Sequence, residues 1–477
     1  MRVMSLGVML AGATLTVSAG ADELPCHLGS SSSLYTDNGF GETPEADDHL
    51  GSALAKGDFD GDGFEDLAMS TPDEDLGAQA DAGLVHVVFG GLSTAPQRKQ
   101  TLRQADLPGE QTFANAAFGA TLAVGDFNGD GYDDLAVTAQ KSGGGVGRYF
   151  VIPGFGTGLD AAHATFIPNQ TVASRNSPMA AGDFDLDGRD DIALGQSWYA
   201  GSCPISAGAR GRVVFAYGVS GALLQFARII STNDSTSGVQ CGGKFGSALY
   251  VTSLQGRRVV LAGQPYYDLP NAPDSLDVGS YFRFGFGESG RPEVLQFAHA
   301  AQAGARYGSS FTSGDFDGDG QRDYAVGAPG NATNAGWVRI GYAHGGTQLL
   351  RHEDFRPTPP PPSGEFGTAL ASGNLDGDGI DDLVIGAPFA WANDGDILIA
   401  RGAAAGLNPI YTMIFVMPTA SAWREFGRVM LTMDRDNDGR AELVSGIPMA
   451  RLYGLPEAAL WSGVVASTRF KQLDQCQ

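Results

Sequence analysis

The chain alternates short apolar runs with turns rich in glycine, and several of these runs come directly after a cluster of acidic residues. The stretch GDFDGDGFEDLAMSTP, which begins at Gly57, is the first example. Further copies begin at Gly125, Gly182, Gly314, Gly373 and Met433. A short apolar run bounded by turn residues is typical of a buried β-strand. The pattern therefore predicts six copies of a unit in which an acidic loop leads into a strand.

A wider frame surrounds these copies. A glycine, often preceded by Phe, comes before most of the acidic loops, as in Phe118-Gly119, Phe366-Gly367 and Phe426-Gly427. A seventh unit, which begins at Lys244, keeps this frame but has TSLQGRR in place of the acidic loop. Each unit also has a third strand, such as GLVHVVFG from Gly83, and a weaker fourth. Four short strands per repeat, at intervals of roughly 57 to 70 residues, predict an all-β, seven-bladed β-propeller.

Composition and length fit one exported propeller. Hydrophobic residues make up 43 % of the 477 residues, which excludes a disordered chain. Residues 1–21 predict a signal peptide, because one Arg precedes an apolar run that ends in small residues; the alternative is a buried N-terminal strand or helix. Residues 22–477 predict a single propeller, with the proline-rich RPTPPPPSGEF as a connector between blades. No later stretch has the length and apolarity of a membrane span, so a secreted or periplasmic monomer is expected.

The acidic loops have the composition of calcium sites. In the first loop, carboxylates stand at positions 1, 3, 5 and 9, and a carbonyl at position 7 completes the set: Asp58, Asp60, Asp62, Asp66 and Phe64. Calcium takes six to eight oxygen ligands, and the first half of an EF-hand loop has the same spacing. The corresponding ligands of the other loops are Asp126, Asn128, Asp130, Tyr132 and Asp134; Asp183, Asp185, Asp187, Arg189 and Asp191; Asp315, Asp317, Asp319, Gln321 and Asp323; Asn374, Asp376, Asp378, Ile380 and Asp382; and Asp434, Asp436, Asp438, Arg440 and Glu442. The loops predict up to six Ca²⁺ ions, bound more weakly where Asn replaces Asp.

The net charge of −24 comes almost entirely from these loops. They hold 22 of the 54 acidic residues, and the remaining 32 are nearly balanced by 30 Lys and Arg. Three other interpretations are a true EF-hand, a solvated acidic turn and a dockerin-type repeat. A true EF-hand needs Glu at the position where Met69 stands. A solvated acidic turn does not explain the same spacing in six loops, and a dockerin-type repeat would be followed by a helix, whereas strand-like segments follow these loops. The metal is expected to serve structure, because the loop itself supplies every ligand position.

With these residues the chain resembles the FG-GAP repeat, the blade of the integrin alpha-subunit propeller. The GAP part of the motif stands at Gly327-Ala328-Pro329 and Gly386-Ala387-Pro388 and becomes STP, GQP or GIP elsewhere. The resemblance covers roughly residues 40–470 and implies a seven-bladed propeller with calcium in the loops between first and second strands. Integrins carry such loops in only the last few blades, whereas six of seven units have them here. The sequence is more similar to secreted, stand-alone FG-GAP proteins.

Two classes of function remain open. One is an adhesion or binding module for an extracellular protein or glycan, and the other is a carbohydrate-active lyase or hydrolase; a purely structural secreted protein is a third possibility. No H-E-x-x-H, G-x-S-x-G, P-loop or dinucleotide motif is present, and dispersed basic residues in an acidic protein argue against binding to nucleic acid.

Aromatic residues in the loops opposite the acidic ones form the predicted ligand face, because Trp and Tyr are frequent anchors of binding surfaces. They are Trp198, Tyr199, Tyr266, Tyr267 and Trp391, with Tyr453 and Trp461 in the same set. The alternative is that these rings cover the outer edge of the core. The resemblance implies the same face, since integrin ligands bind opposite the calcium loops.

Four cysteines suggest two disulfides in an exported chain: Cys26, Cys203, Cys241 and Cys476. Three pairings are possible. The predicted pairs are Cys203–Cys241 and Cys26–Cys476, because a ring brings its two ends together and because Cys203 and Cys241 fall in connections on the same face of a blade.

Overall fold

The computed structural model describes residues 16–17, 30–43, 45, 47–91, 97–143, 145–172, 174–175, 177–199, 210–218, 226–231, 239–269, 276–287, 291–330, 335–355, 364–390, 395–413, 415–416, 425–448 and 464–470. Their secondary structure is almost entirely β, as the sequence predicts. Short 3-10 helices lie at Asp37–Phe40, Gln104–Asp106, Ala161–His163 and His352–Asp354. Within these ranges, no apolar helix reaches the length that crosses a membrane.

The strands are numbered in chain order. Two precede the repeats: β1 (Thr16–Val17) and β2 (Ser30–Tyr35). The first three sheets contain β3 (Leu54–Gly57), β4 (Asp66–Thr71), β5 (Leu84–Val88) and β6 (Lys99–Arg103); β7 (Leu122–Gly125), β8 (Asp134–Ala139), β9 (Arg148–Ile152) and β10 (Thr165–Phe166); and β11 (Met179–Gly182), β12 (Asp191–Gly195), β13 (Val213–Gly218) and β14 (Phe226–Ser231). The fourth and fifth contain β15 (Leu249–Leu254), β16 (Arg257–Gln264), β17 (Ser280–Phe286) and β18 (Pro292–His299); and β19 (Ser310–Gly314), β20 (Asp323–Ala328), β21 (Trp337–Gly341) and β22 (Thr347–Leu350).

The last two sheets close the series. The sixth contains β23 (Leu370–Gly373), β24 (Asp382–Ala387), β25 (Asp396–Arg401) and β26 (Asn408–Met413). The short β27 (Phe415–Val416) pairs with β1. The seventh contains β28 (Val429–Met433), β29 (Glu442–Ile447) and β30 (Val464–Phe470), and its outer strand is β2 from the start of the chain. The described residues thus form seven four-stranded antiparallel sheets.

The sheets stand in a ring. The first strands of successive sheets, β3, β7, β11, β15, β19, β23 and β28, contact one another in that order, and β28 contacts β3. Pairing of β2 with β30 ties the N-terminal segment to the last sheet, with Ser30 opposite Phe470 and Tyr35 opposite Val465. This arrangement is a β-propeller, and the predicted all-β propeller architecture is confirmed.

Two glycine positions of the repeat, each filled by glycine in most units, allow neighbouring sheets to approach closely. The glycine of Phe-Gly has a positive φ between 80° and 94° in all six units that carry it, and only glycine takes this conformation without strain. The glycine of the GAP position packs on the Phe-Gly carbonyl of the following sheet. A Cβ at this position would lie 1.8 to 2.1 Å from that carbonyl oxygen, at Gly195, Gly263, Gly327, Gly386 and Gly446. The last of these contacts, from Gly446 to Gly51, joins the seventh sheet to the first.

The core lies between adjacent sheets. Second strands are covered on both sides, and every residue of β4, β8 and β24 is buried, which explains their continuous apolar sequence. Position 2 of the acidic loops supplies a large side chain to the same layer, as in Phe59, Phe127, Phe184 and Phe316. One cluster joins Phe59 and Val87 of the first sheet to Leu135 and Phe150 of the second.

The fourth sheet differs at the position of the acidic loop. Here β15 and β16 pair up to Leu254 and Arg257 and leave only two residues in the turn. Those residues, Gln255 and Gly256, both have positive φ, at 51° and 72°. A two-residue turn of this kind is a tight β-hairpin and has no room for a set of metal ligands.

Several sequence predictions fall outside the described residues. These include almost all of residues 1–21, the proline-rich connector at 356–363, and Cys26, Cys203 and Cys476. The signal peptide and the pairing of the cysteines stay predictions.

Candidate metal centres

The acidic loops join the first and second strands of six sheets and are named here by sheet, as loops 1, 2, 3, 5, 6 and 7. In loop 1 the chain folds around the carboxylate of Asp58, whose two oxygens accept hydrogen bonds from the amides of Asp62 (3.0 Å) and Gly63 (2.9 Å). The carboxylate at position 1 accepts an equivalent bond from the position 6 amide in loops 2, 3, 5 and 7. The glycine at position 6 has a φ of 83° to 90° in all six loops, so a side chain here would strain the turn.

A second contact recurs through the whole set. The amide at position 7 donates to the carboxylate at position 5, at 3.0 Å from Phe64 to Asp62. The other donors, at 2.7 to 3.1 Å, are Tyr132, Arg189, Gln321, Ile380 and Arg440. These local bonds between side chain and backbone hold the carboxylates on the inside of the turn.

Four loops bring three carboxylates together. Oxygens within 4.8 Å of one another come from Asp58, Asp60 and Asp62; Asp183, Asp185 and Asp191; Asp315, Asp317 and Asp323; and Asp434, Asp436 and Asp438. Calcium binds oxygen at roughly 2.3 to 2.6 Å, so two ligands of one ion are at most about 5 Å apart. The donor sets therefore fit a single hard cation. In loops 2 and 6 an amide oxygen takes one position, at Asn128 and Asn374.

Position 9 has a structural task as well. Both oxygens of Asp66 accept backbone hydrogen bonds, from Phe59 (2.8 Å) and from Gly90 beyond the third strand (2.7 Å). Asp134, Asp191, Asp323 and Asp382 make the same pair of contacts. Burial raises the pKa of Asp66 to about 7 and that of Asp134 to about 8, since the charged form is poorly solvated. A cation in the loop would offset this cost.

Position 8 links adjacent loops, a role that the sequence analysis does not assign. The amide of Asp133 donates to the carbonyl of Asp58 in the preceding loop at 3.0 Å, and its carboxylate accepts from the Asp58 amide at 2.9 Å. Asp190 and Asp381 make the equivalent carboxylate contacts at 3.1 Å. Glu65 accepts from the amide of Asp434 at 2.7 Å and thereby carries the link from loop 7 to loop 1.

Basic side chains reduce the charge of several loops. Arg98 contacts Asp60 in loop 1, and Arg189 contacts Asp187 in loop 3. Arg401 lies 2.9 Å from Asp378 in loop 6. His344 lies 2.8 Å from Asp317 in loop 5. In loops 1, 3, 5 and 6, these side chains are partners of the carboxylates that compete with a metal ion.

The opposite ends of the sheets carry the predicted aromatic face. Trp198 and Tyr199 are 53 % and 37 % exposed, and Tyr266 is half-buried. The Lys244 ammonium lies 4.9 Å from the ring centre of Trp198 and 4.5 Å from that of Tyr266. Arg212 stacks on Tyr199 at 4.1 Å.

Tyr267 does not belong to this surface. It is only 5 % exposed and packs on Phe297 and His299, so its ring is part of the core rather than a ligand contact. Trp391, Tyr453 and Trp461 lie outside the described residues.

Similarity to known proteins agrees with this architecture. The FG-GAP repeat family matches residues 50–88, 118–151, 307–339 and 366–399, which lie in the first, second, fifth and sixth repeats. Phosphatidylinositol-glycan-specific phospholipase D of Bos taurus is 25 % identical over 380 residues, which cover 71 % of this chain and 43 % of that protein. The Mus musculus protein of the same name is 29 % identical over 397 residues, covering 76 % and 45 %. Integrin alpha-PS5 of Drosophila melanogaster is 36 % identical over 166 residues, covering 32 % of this chain and 16 % of the integrin.

The matches to longer proteins are partial, because the chain spans less than half the length of each of these relatives. All four segments that match the FG-GAP family contain the glycine of the Phe-Gly position, and those of the fifth and sixth repeats also contain the GAP glycine, Gly327 and Gly386, that packs on the next sheet. The chain therefore contains FG-GAP repeats, and the sheets of its described residues form a β-propeller.

Proposed function

We propose that this protein is an exported calcium-binding module that binds an extracellular protein or glycan through the face opposite its acidic loops. The observation that carries the proposal is the group of exposed or half-buried rings and cations on that face: Trp198, Tyr199, Tyr266, Lys244 and Arg212. We refer to these five residues as the aromatic–basic patch.

The chemistry of the patch suits recognition. Trp and Tyr offer a large apolar area together with a polar group, and Arg with aromatic residues is common at the centre of binding sites. Two basic residues here contrast with a net charge of −24 for the whole chain. The cations already lie over the rings, so the side chains are held in place before a ligand arrives, which lowers the entropy cost of binding.

Calcium is the proposed ligand of the acidic loops, and its role is structural. The ion would sit among the carboxylates at positions 1, 3 and 5 in loops 1 and 7, and at positions 1, 3 and 9 in loops 3 and 5, where it would neutralise charges that otherwise repel one another. Because it binds the folded loop, each site stabilises the protein by mass action, by about 2.7 kcal/mol when calcium is at a hundred times its dissociation constant.

The calcium part is tested by thermal unfolding of the full chain with excess calcium and with excess chelator. A clear rise of the melting temperature with calcium is expected, and a smaller rise for Asp60→Asn in loop 1. Asp47→Asn, an exposed acid outside the loops, is the matched control and should behave as wild type. An identical melting temperature in both solutions would refute calcium binding by the folded loops.

The ligand part is tested by screening the calcium-loaded protein on glycan and extracellular-protein arrays. Trp198→Ala and Tyr199→Ala should weaken binding to any hit at unchanged melting temperature. Phe155→Ala is the matched control, because Phe155 is a 57 % exposed aromatic residue in the connection that follows β9, on the side of the acidic loops. If Phe155→Ala lost binding and the patch variants kept it, the ligand site would lie on the face of the acidic loops, and the proposal would be refuted.

A second candidate function is enzymatic, and the similarity to phosphatidylinositol-glycan-specific phospholipases D favours it over other activities. The test is release of a phosphatidylinositol-glycan-anchored reporter from vesicles by the calcium-loaded chain. Cleavage would support this candidate. Glycan binding without any turnover would favour the binding module.

A further inference from the structure

The aromatic–basic patch is one connected surface, although its residues come from four segments of the chain. Two of these segments belong to the third sheet and two to the fourth. Three backbone hydrogen bonds join them in a row, each from an amide to a carbonyl: Gly211 to Tyr199 (2.9 Å), Phe245 to Arg210 (2.9 Å) and Tyr266 to Gly243 (3.4 Å). The five side chains of the patch therefore stand on a continuous backbone support.

Arg212 is fixed in position by two contacts. Its Nε donates a hydrogen bond to Oε1 of Gln196 at 2.6 Å, and its guanidinium stacks on Tyr199. The side-chain amide of Gln196 donates in turn to Gln170 at 3.2 Å. Within the described residues, the two terminal nitrogens of Arg212 donate no hydrogen bond. They form a planar fork of the kind that binds a carboxylate or another oxyanion through two parallel hydrogen bonds.

Lys244 is held between two rings rather than by an acid. Its ammonium lies near the ring centres of Trp198 and Tyr266, and no carboxylate in the described part of the chain forms an ion pair with it. Asp277 is close enough to interact with this charge electrostatically, but it lies beyond ion-pair distance. The ammonium is therefore available to a ligand.

Other arginines at the same ends of the sheets do have acidic partners. They are Arg148 with Glu110 (3.0 Å), Arg175 with Asp73, and Arg306 with Glu365 (2.8 Å). The chain has 54 acidic and only 30 basic residues, so acids are plentiful. Two neighbouring cations that are placed on rings instead of beside carboxylates are suited to an external anion.

The rings add a flat apolar surface beside the two cations. Trp198 stays more than half exposed although Lys244 lies over its ring. A sugar ring presents a face of C–H groups, and such a face packs on the electron-rich face of an aromatic ring. Backbone groups of all four segments are already used in the bonds between them, which disfavours a peptide that binds by adding a strand.

We propose that the patch binds an acidic polysaccharide. Its sugar rings pack on Trp198 and Tyr199, and its carboxylate or sulfate groups are bound by Lys244 and Arg212. The inference rests on the proposed function, since it names the ligand class of the same site. A neutral glycan would leave both cations without an anion, and an acidic peptide would make little use of the rings.

The experiment measures binding of the calcium-loaded full chain by isothermal titration calorimetry with four probes. Hyaluronan oligosaccharides carry carboxylates, dextran sulfate carries sulfates, dextran is the neutral form of the same polymer, and polyglutamate is an acidic peptide. Binding to at least one of the two acidic polysaccharides is expected, and the two arms show which acid group is recognised. No binding to either of them, equal affinity for dextran and dextran sulfate, or tighter binding of polyglutamate would overturn the proposal.

Two variants connect this binding to the patch. Lys244→Gln and Arg212→Gln should each weaken it by about tenfold or more, because each removes a charge-assisted contact. Arg291→Gln is the matched control: Arg291 is exposed and precedes β18 in the sheet of Tyr266, on the side of the acidic loops, and its loss changes the net charge equally. An equal loss of affinity in the control would mean that only net charge counts, and the proposal would be wrong. If Arg212→Gln lowers the melting temperature, Lys244→Gln decides.

The proposed function and this inference fail in different ways. A neutral glycan or a protein that binds through the patch would overturn the acidic ligand and leave the binding module in place. Acidic polysaccharide binding that neither patch variant weakens would overturn both, because the ligand would then bind another surface.

Discussion

A methyl group added at Gly386 would meet the backbone of the next sheet. Gly386 lies in β24 with an ordinary strand conformation, so Ala fits its φ and ψ. Its Cβ, however, would stand 1.8 Å from the carbonyl oxygen of Gly427 and 3.2 Å from Cε of Met430. Met430 can turn away, but Gly427 cannot, because its carbonyl belongs to the turn that opens the seventh repeat.

The size of the effect follows from these distances. Real Cβ contacts do not fall below 3.0 Å, so the two sheets must separate by more than 1 Å along a packed interface. Overpacking of a core costs about 1 to 3 kcal/mol. Replacing Gly by Ala in a compatible conformation contributes about 0.4 to 1 kcal/mol in the other direction, through the unfolded chain. We expect the free energy of unfolding to fall by about 1 to 2 kcal/mol.

Urea unfolding followed by tryptophan fluorescence measures this loss as a lower midpoint. Gly364→Ala is the matched control: it lies in the same repeat, and its Cβ would be 3.7 Å from Ala390, an ordinary contact. That variant should be as stable as wild type or slightly more stable. If Gly386→Ala shared this behaviour, the close approach of the sheets could not be the reason for glycine in the motif.

Three further predictions concern single contacts. Asp133→Ala removes the carboxylate that accepts a hydrogen bond from the Asp58 amide, and it should lower the free energy of unfolding in urea by about 1 to 2 kcal/mol. An unchanged midpoint would mean that the link between loops 1 and 2 does not stabilise the protein. Burial lowers the pKa of His86 to about 3, whereas a histidine of the unfolded chain has a pKa of about 6.5, so between these values only the unfolded chain takes up this proton. From pH 7 to pH 5, the free energy of unfolding of wild type should therefore fall by up to about 2 kcal/mol more than that of His86→Gln. An equal fall in both proteins would contradict this. Non-reducing peptide mapping should find Cys203–Cys241 and Cys26–Cys476, and a peptide joining Cys26 to Cys203 would refute the scheme.

The repeat and its loops could be predicted from sequence because their information is local. Carboxylates at fixed spacing, a glycine at position 6 and an apolar strand all lie within one short segment, as from Asp58 to Thr71. The Phe-Gly and GAP glycines form a pattern in the sequence, but the reason for glycine at these positions is a contact between two sheets that are distant in the chain.

Other features depend on contacts between distant segments. Tyr266 and Tyr267 are adjacent, and nothing in the sequence distinguishes the half-buried ring from the one in the core. Asp133 looks like one more acid of its loop until the neighbouring Asp58 is placed beside it.

The pairing of β2 with β30 has a consequence for synthesis on the ribosome. Ser30 is among the first residues of the propeller to be made, and its partner Phe470 is among the last. At translation rates of roughly 5 to 20 residues per second, β2 waits tens of seconds for that partner. During this time the nascent chain carries an unpaired strand edge, which is prone to association with other chains. Truncation before Val464 would make this exposure permanent, because loss of β30 leaves both β2 and β29 without the strand that lies between them.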